Sequence, residues 1–159
     1  MGSRLDTDLA YIAGFLDGDG SFILQVKSRS DTSRGVRFMA TICLYQDTRH
    51  EQPLLWIREI FNIGYISHRK DGMTELRING FTSVRTVLTQ LRPYVRFKQA
   101  QVAALLEACA ILETTTVSKM SEVQLRKIVD LIFVIREHNY KSNQILTKDT
   151  LLLRLGLTP

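Results

Sequence analysis

The chain has 159 residues, 45% of them apolar, and carries 21 Lys and Arg against 16 Asp and Glu for a net charge of +5. That length matches one domain, and the apolar share is ample for a core, which excludes a disordered polypeptide. Two cysteines, Cys43 and Cys109, exclude a disulfide framework or a Cys-based zinc site; no apolar run nears the roughly 18 residues of a membrane span, and no signal-peptide pattern opens the chain.

A first helix is predicted over 7–17, with Asp6 or Thr7 as N-cap, ending at Gly18-Asp19-Gly20 because glycines at that density break a helix. From Ser21 to Arg29 the pattern switches to period two: Phe22, Leu24 and Val26 take one face, and Ile23, Gln25, Lys27 and Arg29 the other. After a polar loop over 30–35, residues 36–46 alternate again. Val36, Phe38, Ala40, Ile42 and Leu44 take the core side, and Arg37, Met39, Thr41, Cys43 and Tyr45 the opposite one. A helix over 52–62 with Gly64 as its stop leads into a second hairpin, 65–69 and 73–79, turned by Asp71-Gly72. Thr82 or Ser83 caps a helix to Leu91; further helices follow over 98–112 and 121–137, and the tail over 149–155 closes helically. The order α-ββ-α-ββ-α-α-α gives an α+β fold, an antiparallel four-stranded sheet with helices on one face only.

The distribution of charge says more than its total. Residues 1–21 hold one basic and four acidic residues, net −3; residues 22–100 hold thirteen and six, net +7; residues 101–159 hold seven and six, net +1. Fourteen of the 21 basic residues are arginine, the side chain suited to bidentate contact with phosphate or guanine. The uncovered sheet face would carry Gln25, Lys27, Arg29, Arg37, Thr41, Ser67, Arg69, Glu75 and Arg77. A solvated sheet face is also polar, but the charge bias within 22–100 favours a polyanion such as DNA. A strand of about ten residues spans roughly 33 Å, close to one duplex turn, so the platform suits one DNA half-site.

Residues 9–20 read LAYIAGFLDGDG. Ala10, Ala13 and Gly14 fall at i, i+3 and i+4, a small-residue stripe that lets another helix approach closely; Ile12, Phe15 and Leu16 supply bulk opposite. A carboxylate beside the negative end of a helix dipole needs compensation. For Asp17 that is a cap or turn contact; for Asp19, a hard divalent cation taking carboxylate and carbonyl oxygen.

Residues 12–20, IAGFLDGDG, resemble the LAGLIDADG motif of homing endonucleases, with five of nine positions identical. The resemblance continues through GDGSF opening a Gln-x-Lys strand, Gln46 closing the second strand, GY at 64–65 and LRPYVRFKQAQ at 91–101. It covers about 7–112, more loosely the C-terminal helices, and points to the single-motif, intron-encoded, homodimeric branch found in organelles.

That resemblance implies the α-ββ-α-ββ-α fold with a saddle-shaped sheet and extra C-terminal helices, the whole of 1–159 being one domain and half of an enzyme. The motif helices of two copies would pack through Ala10, Ala13 and Gly14. Asp19, with the Gly18 carbonyl beside it, would bind the catalytic metal, Mg2+, with Mn2+ able to substitute and Ca2+ supporting binding without cleavage. Lys98 matches a lysine that organises active-site water and polarises the scissile phosphate, and Gln46 a glutamine that positions water; the bland readings are a helix-start surface lysine and a strand-end polar residue. Four residues after Gln46 the family carries arginine and this chain His50, so Arg49 or His50 would give catalytic support.

The sheet residues become DNA readers: Gln25, Lys27, Arg29, Arg37, Arg69 and Arg77 first, then Thr41, Cys43, Ser67 and Glu75, with loop 31–34 at the outer bases. Lys119, Lys141 and Lys148 are candidate phosphate contacts or ordinary solvated lysines. The expected activity is hydrolytic double-strand cleavage of a pseudopalindromic site of roughly 20 base pairs, leaving short 3′ overhangs and starting intron homing, with the central bases read by bendability. The partners are double-stranded DNA and a second copy, with no membrane and no small-molecule substrate. The rival readings are an RNA maturase and a non-cleaving DNA-binding regulator.

Overall fold

The computed structural model describes residues 4–139 and 146–159. Helix α1 (Arg4–Asp19) is followed by β1 (Gly20–Ser28), β2 (Val36–Asp47), α2 (Gln52–Phe61), β3 (Tyr65–His68) and β4 (Met73–Asn79), then α3 (Phe81–Leu91), α4 (Gln99–Thr114), α5 (Glu122–His138) and α6 (Lys148–Arg154). Short 3-10 turns stand at Thr48–His50 and Val117–Lys119. The strands form one antiparallel sheet in the order β1-β2-β4-β3. The expected element order is therefore found, and the fold is α+β.

Period-two alternation decides which sheet face is dry. Phe22, Leu24, Val26, Phe38, Ala40, Ile42, Leu44, Leu76 and Ile78 are all buried, and a one-residue slip would send that whole set to the other face. Against them pack Ile12 and Leu16 of α1, Leu54 and Ile57 of α2, Val84 and Leu88 of α3, and Leu105 and Ala108 of α4. Helix α5 buries Leu125, Ile128, Val129 and Ile132 against α4 and β1. Burying one such side chain fully is worth about 1.5–3 kcal/mol, so the alternation in β1 and β2 fixes register strongly.

Several boundaries differ from the sequence expectation. Helix α1 does not stop before Gly18-Asp19-Gly20; it runs through Asp19, and β1 starts at the next residue. That abrupt junction needs glycine for space rather than for flexibility. A Cβ at Gly20 would stand 2.6 Å from the Leu16 carbonyl oxygen and 2.4 Å from Leu16 Cδ1. Helix α2 is ended by Asn62 in the left-handed region (φ 49), not by Gly64. The second hairpin closes through three residues, 70–72, rather than two: Arg69 N–H donates to the Met73 carbonyl at 2.8 Å, and Gly72 takes φ 82. Neither Thr82 nor Ser83 caps α3, which starts at Phe81 after Gly80. Ser121 and Gln124 form a reciprocal capping box on α5.

Candidate functional site

The α1–β1 junction organises three functional side chains. Successive helical residues turn by about 100°, so Asp17 and Asp19 point to opposite sides of α1. Asp17 turns inward and is buried. Its Oδ2 accepts the backbone N–H groups of Arg96 (2.7 Å) and Phe97 (3.2 Å), and its Oδ1 that of Lys98 (3.1 Å). Helix α4 has no side-chain cap from its own N-cap residue, Lys98; Asp17 binds the N–H of that residue and of the two before it, anchoring from α1 the turn that leads into α4. Asp17 thus makes the expected cap or turn contact. Asp19 is exposed at the very end of α1, with Gly18 exposed beside it.

Lys98 returns the contact. Its Nζ donates to the carbonyls of Leu16 (2.9 Å) and Gly20. Helix α1 has no basic residue in its own last turn, so this ammonium supplies the positive charge that its C-terminal dipole favours. Burial pulls the Lys98 amine below its ordinary value, and the Asp17 and Asp19 carboxylates oppose that shift. The two helix ends clamp each other: Asp17 anchors the turn entering α4, and Lys98 caps α1. A surface lysine at a helix start would show none of this.

Gln46 joins the same corner through strand register. Leu44 pairs with Gly20, so Gln46, two residues on, stands at the end of the sheet where Asp19 emerges. It is half-buried, and its Oε1 accepts the Asp47 N–H at 2.9 Å. Arg49 is exposed but engaged, donating through Nε (3.0 Å) and Nη2 (2.8 Å) to Asp47, whose carboxyl it holds well below the usual range. His50 is exposed in the same turn. Glu51 next to it accepts from the buried Thr74 hydroxyl at 2.8 Å and stands 2.7 Å from His68 Nε2, which fixes this turn to β3 and β4.

The open sheet face carries most of the expected basic side chains. Lys27, Arg29, Arg37 and Arg69 are exposed, Gln25, Ser67 and Arg77 half-buried, and Lys27 stands directly opposite Arg37 across β1 and β2. Several arginines are held by acids: Arg29 by Asp31, Arg69 by Asp71 and Glu75, and Arg77 by Glu75. In the loop after β1, Arg34 donates to the Leu155 carbonyl at 3.1 Å.

Three expected readers are not on the surface. Thr41, Cys43 and Glu75 are buried. Alternation assigns a side chain to a face but not to solvent. Thr41 and Cys43 are short residues on β2, a central strand, standing opposite Ile23 and Ser21 on β1 and Asn79 and Arg77 on β4. Thr41 donates to Asn79 Oδ1 (2.8 Å), and Asn79 Nδ2 donates to the Tyr65 hydroxyl (3.1 Å). Cys43 pairs with Ser21, whose hydroxyl meets that of Tyr45 at 3.2 Å, and burial pushes the Cys43 thiol up.

The stripe on α1 also needs correction. Ala10 and Gly14 are exposed, but Ala13 is fully buried and belongs to the chain's own core. A Cβ at Gly14 would meet nothing within 4 Å. Beside Ala10, Tyr11 is 64% exposed and packs edge-on against Trp56, ring centroids 5.9 Å apart at 72°. Near the end of α1, Phe97 is 87% exposed while its N–H is bound to Asp17. These two aromatics were missed because periodicity assigns an isolated aromatic to a core by default. Of the candidate phosphate contacts, Lys119 is exposed, Lys148 pairs with Asp130, and Lys141 lies outside the described residues.

The LAGLIDADG endonuclease family model matches residues 12–101, more than half of the chain and the whole of this constellation from motif helix to Lys98. The chain belongs to the LAGLIDADG endonuclease family. It is 35% identical over 106 residues to DNA endonuclease I-CvuI of Chlorella vulgaris, a match covering 67% of this chain and 66% of that protein, just under two thirds of its length. It is 26% identical over 129 residues to DNA endonuclease I-CreI of Chlamydomonas reinhardtii, covering 81% and 78%. The crystal structure of I-CvuI in complex with the I-CreI target in the presence of magnesium superimposes with a TM-score of 0.85 at 26% identity, covering 98% of this chain and 99% of that one. The helices cover one sheet face and leave the basic one open. No described helix is long and apolar enough to cross a membrane.

Proposed function

We propose that this LAGLIDADG chain, over 1–159, is half of a homodimeric, site-specific homing endonuclease that hydrolyses both strands of a pseudopalindromic DNA site of roughly 20 base pairs. The products carry short 3′ overhangs, and the break starts homing of an organellar intron. The observation that carries this reading is the division of labour at the α1–β1 junction: Asp17 is consumed as a cap, Lys98 bridges two carbonyls, and Asp19 is left exposed.

The donor set fits a hard divalent cation, Mg2+ or Mn2+, since Asp19 offers carboxylate oxygen and Gly18 a carbonyl. Among the described residues no three His, Cys, Asp or Glu side chains gather for a metal; at this corner Asp17 is buried and Asp19 is the exposed carboxylate, and in the homodimer a second copy brings the second one. When bound, such an ion supplies Lewis-acid stabilisation of the phosphate and of the leaving 3′ oxygen. The chain does the positioning. Lys98 fixes the carbonyls on either side of Asp19 and places a cation beside the scissile phosphate. Gln46 holds water at the end of β2, and Arg49 or His50 adds charge from the following turn. Lys27, Arg29, Arg37, Arg69, Arg77, Gln25 and Ser67 meet base edges and phosphates in the major groove. Ala10 and Gly14 let the two motif helices approach, with Tyr11 and Phe97 flanking them.

The I-CvuI structures hold target DNA, one with magnesium and one with calcium, which supports an ion of this class here. The test is Asp19→Asn. Being exposed, the substitution should leave folding intact, abolish cutting in magnesium and retain specific binding in calcium; full cleavage by that variant refutes the assignment.

A further inference from the structure

Among the described residues only two carboxylates are buried: Asp17, whose role as a cap is clear, and Glu75, which lies on the open, DNA-facing side of the sheet. A carboxylate is expensive to bury unless its oxygens are filled. Both are. Arg69 Nη1 reaches Glu75 Oε1 at 3.0 Å and Arg77 Nη1 reaches Oε2 at 3.2 Å, while the Glu75 side chain is only 8% exposed. Strand register closes it in further, with Tyr45 opposite on β2 and Ser67 opposite on β3. A side chain so enclosed does not touch a base.

We propose that Glu75 is a positioning residue that aims Arg69 and Arg77 together, so that the two base positions they read are discriminated as a coupled pair. The inference rests on the DNA-endonuclease reading above.

Three observations carry it. Arg77 stands two residues from Glu75 on β4, hence on the same face, and Arg69 comes from across the hairpin, so one carboxylate ties two elements. Each arginine keeps a presentable surface, Arg69 at 47% and Arg77 at 34% side-chain exposure, yet neither is free to swing. Arg69 is held a second time by Asp71 at 2.7 Å, and Arg77, whose Nε is buried, is tethered through Nη1 to Glu75. Finally, Arg69, Arg77, Glu75 and Asp71 sum to zero charge, so the cluster adds little long-range attraction for phosphate. Its contribution is orientation, which is what base-edge recognition requires.

The charge bookkeeping makes the proposal separable from a merely structural role. Glu75→Gln preserves shape, removes one negative charge from the DNA face and breaks the charge pairing that ties the two arginines to one carboxylate. Cleavage-site selection from a randomised half-site library, run on full-length wild type, Glu75→Gln, Arg69→Ala and Arg77→Ala, reads the outcome. The two arginine variants each mark a base position. Glu75→Gln is expected to lose about tenfold preference at both marked positions, while its affinity for non-specific DNA stays the same or rises. A structural defect would lower both quantities. The proposal is overturned if Glu75→Gln keeps full preference at those positions, or changes only a position that neither arginine variant marks, which would make Glu75 a reader itself. Glu75→Asp, which keeps the charge and shortens the reach, is the second variant and should disturb the same two positions with unchanged net charge. If wild type selects no site at all, the endonuclease reading fails and takes this inference with it.

Discussion

Replacing Asp17 with alanine tests the interlocked helix ends directly. The perturbation removes the acceptor of three backbone N–H groups, those of Arg96, Phe97 and Lys98, at distances of 2.7–3.2 Å. Hydrogen bonds to a charged group are worth about 1.5–3 kcal/mol each, but Arg96 and Phe97 are exposed and water can recover part of the loss. Taking about 1 kcal/mol per bond gives roughly 3 kcal/mol, somewhat above the usual range for loss of a helix N-cap. For a domain of this size, 1 kcal/mol corresponds to about 2–4 °C, so Asp17→Ala should melt roughly 6–12 °C below wild type. Asp17→Asn, which keeps one acceptor oxygen and loses the charge, should fall between. Thermal unfolding followed by far-UV circular dichroism measures both. An alanine variant melting within about 2 °C of wild type would show that the cap contributes nothing, and the reasoning about the junction would fail.

Gly14→Leu should leave the single chain folded, because the added side chain starts in open space, and should convert a sedimenting dimer into a monomer without cleavage; a tight dimer of that variant would count against the helix-to-helix interface. The Glu51 carboxyl is held below its ordinary value by the Thr74 hydroxyl and by His68. A depressed acid contributes stability that is complete above its unfolded pKa of about 4.3 and drains away as pH falls through the lower folded value. Glu51→Gln should therefore unfold at lower urea than wild type at neutral pH, with the gap narrowing towards pH values below about 4; a gap that widens on acidification would contradict the sign.

Much of this was legible in the sequence because the signals were periodic or sterically absolute. Phe22, Leu24 and Val26 against Gln25 and Lys27 fixed one face of β1, and the GDGSF segment marked the helix-to-strand junction. What could not be read was mutual: that Asp17 would find the turn before a helix some eighty positions later, or that Lys98 would answer at the other end, is a property of packing. Local rules placed the helix stop too early, since glycine weakens a helix that Lys98 and the sheet hold together to Asp19. Thr41, Cys43 and Glu75 failed for a related reason. Alternation gives a facing direction, but exposure depends on neighbours such as Tyr45, Arg69 and Arg77 folding over them. Ala13 was assigned by spacing to a stripe whose actual exposed members are Ala10 and Gly14, one turn apart, with Tyr11 beside them.

The most direct measurement is selection of cleaved sites from a random duplex library with the full-length protein and magnesium. The account predicts recovery of a pseudopalindromic site of roughly 20 base pairs, cut on both strands with short 3′ overhangs. Recovery of DNA that is bound but never cut, or of nicks confined to one strand, would contradict the pairing of two Asp19 carboxylates at a shared centre.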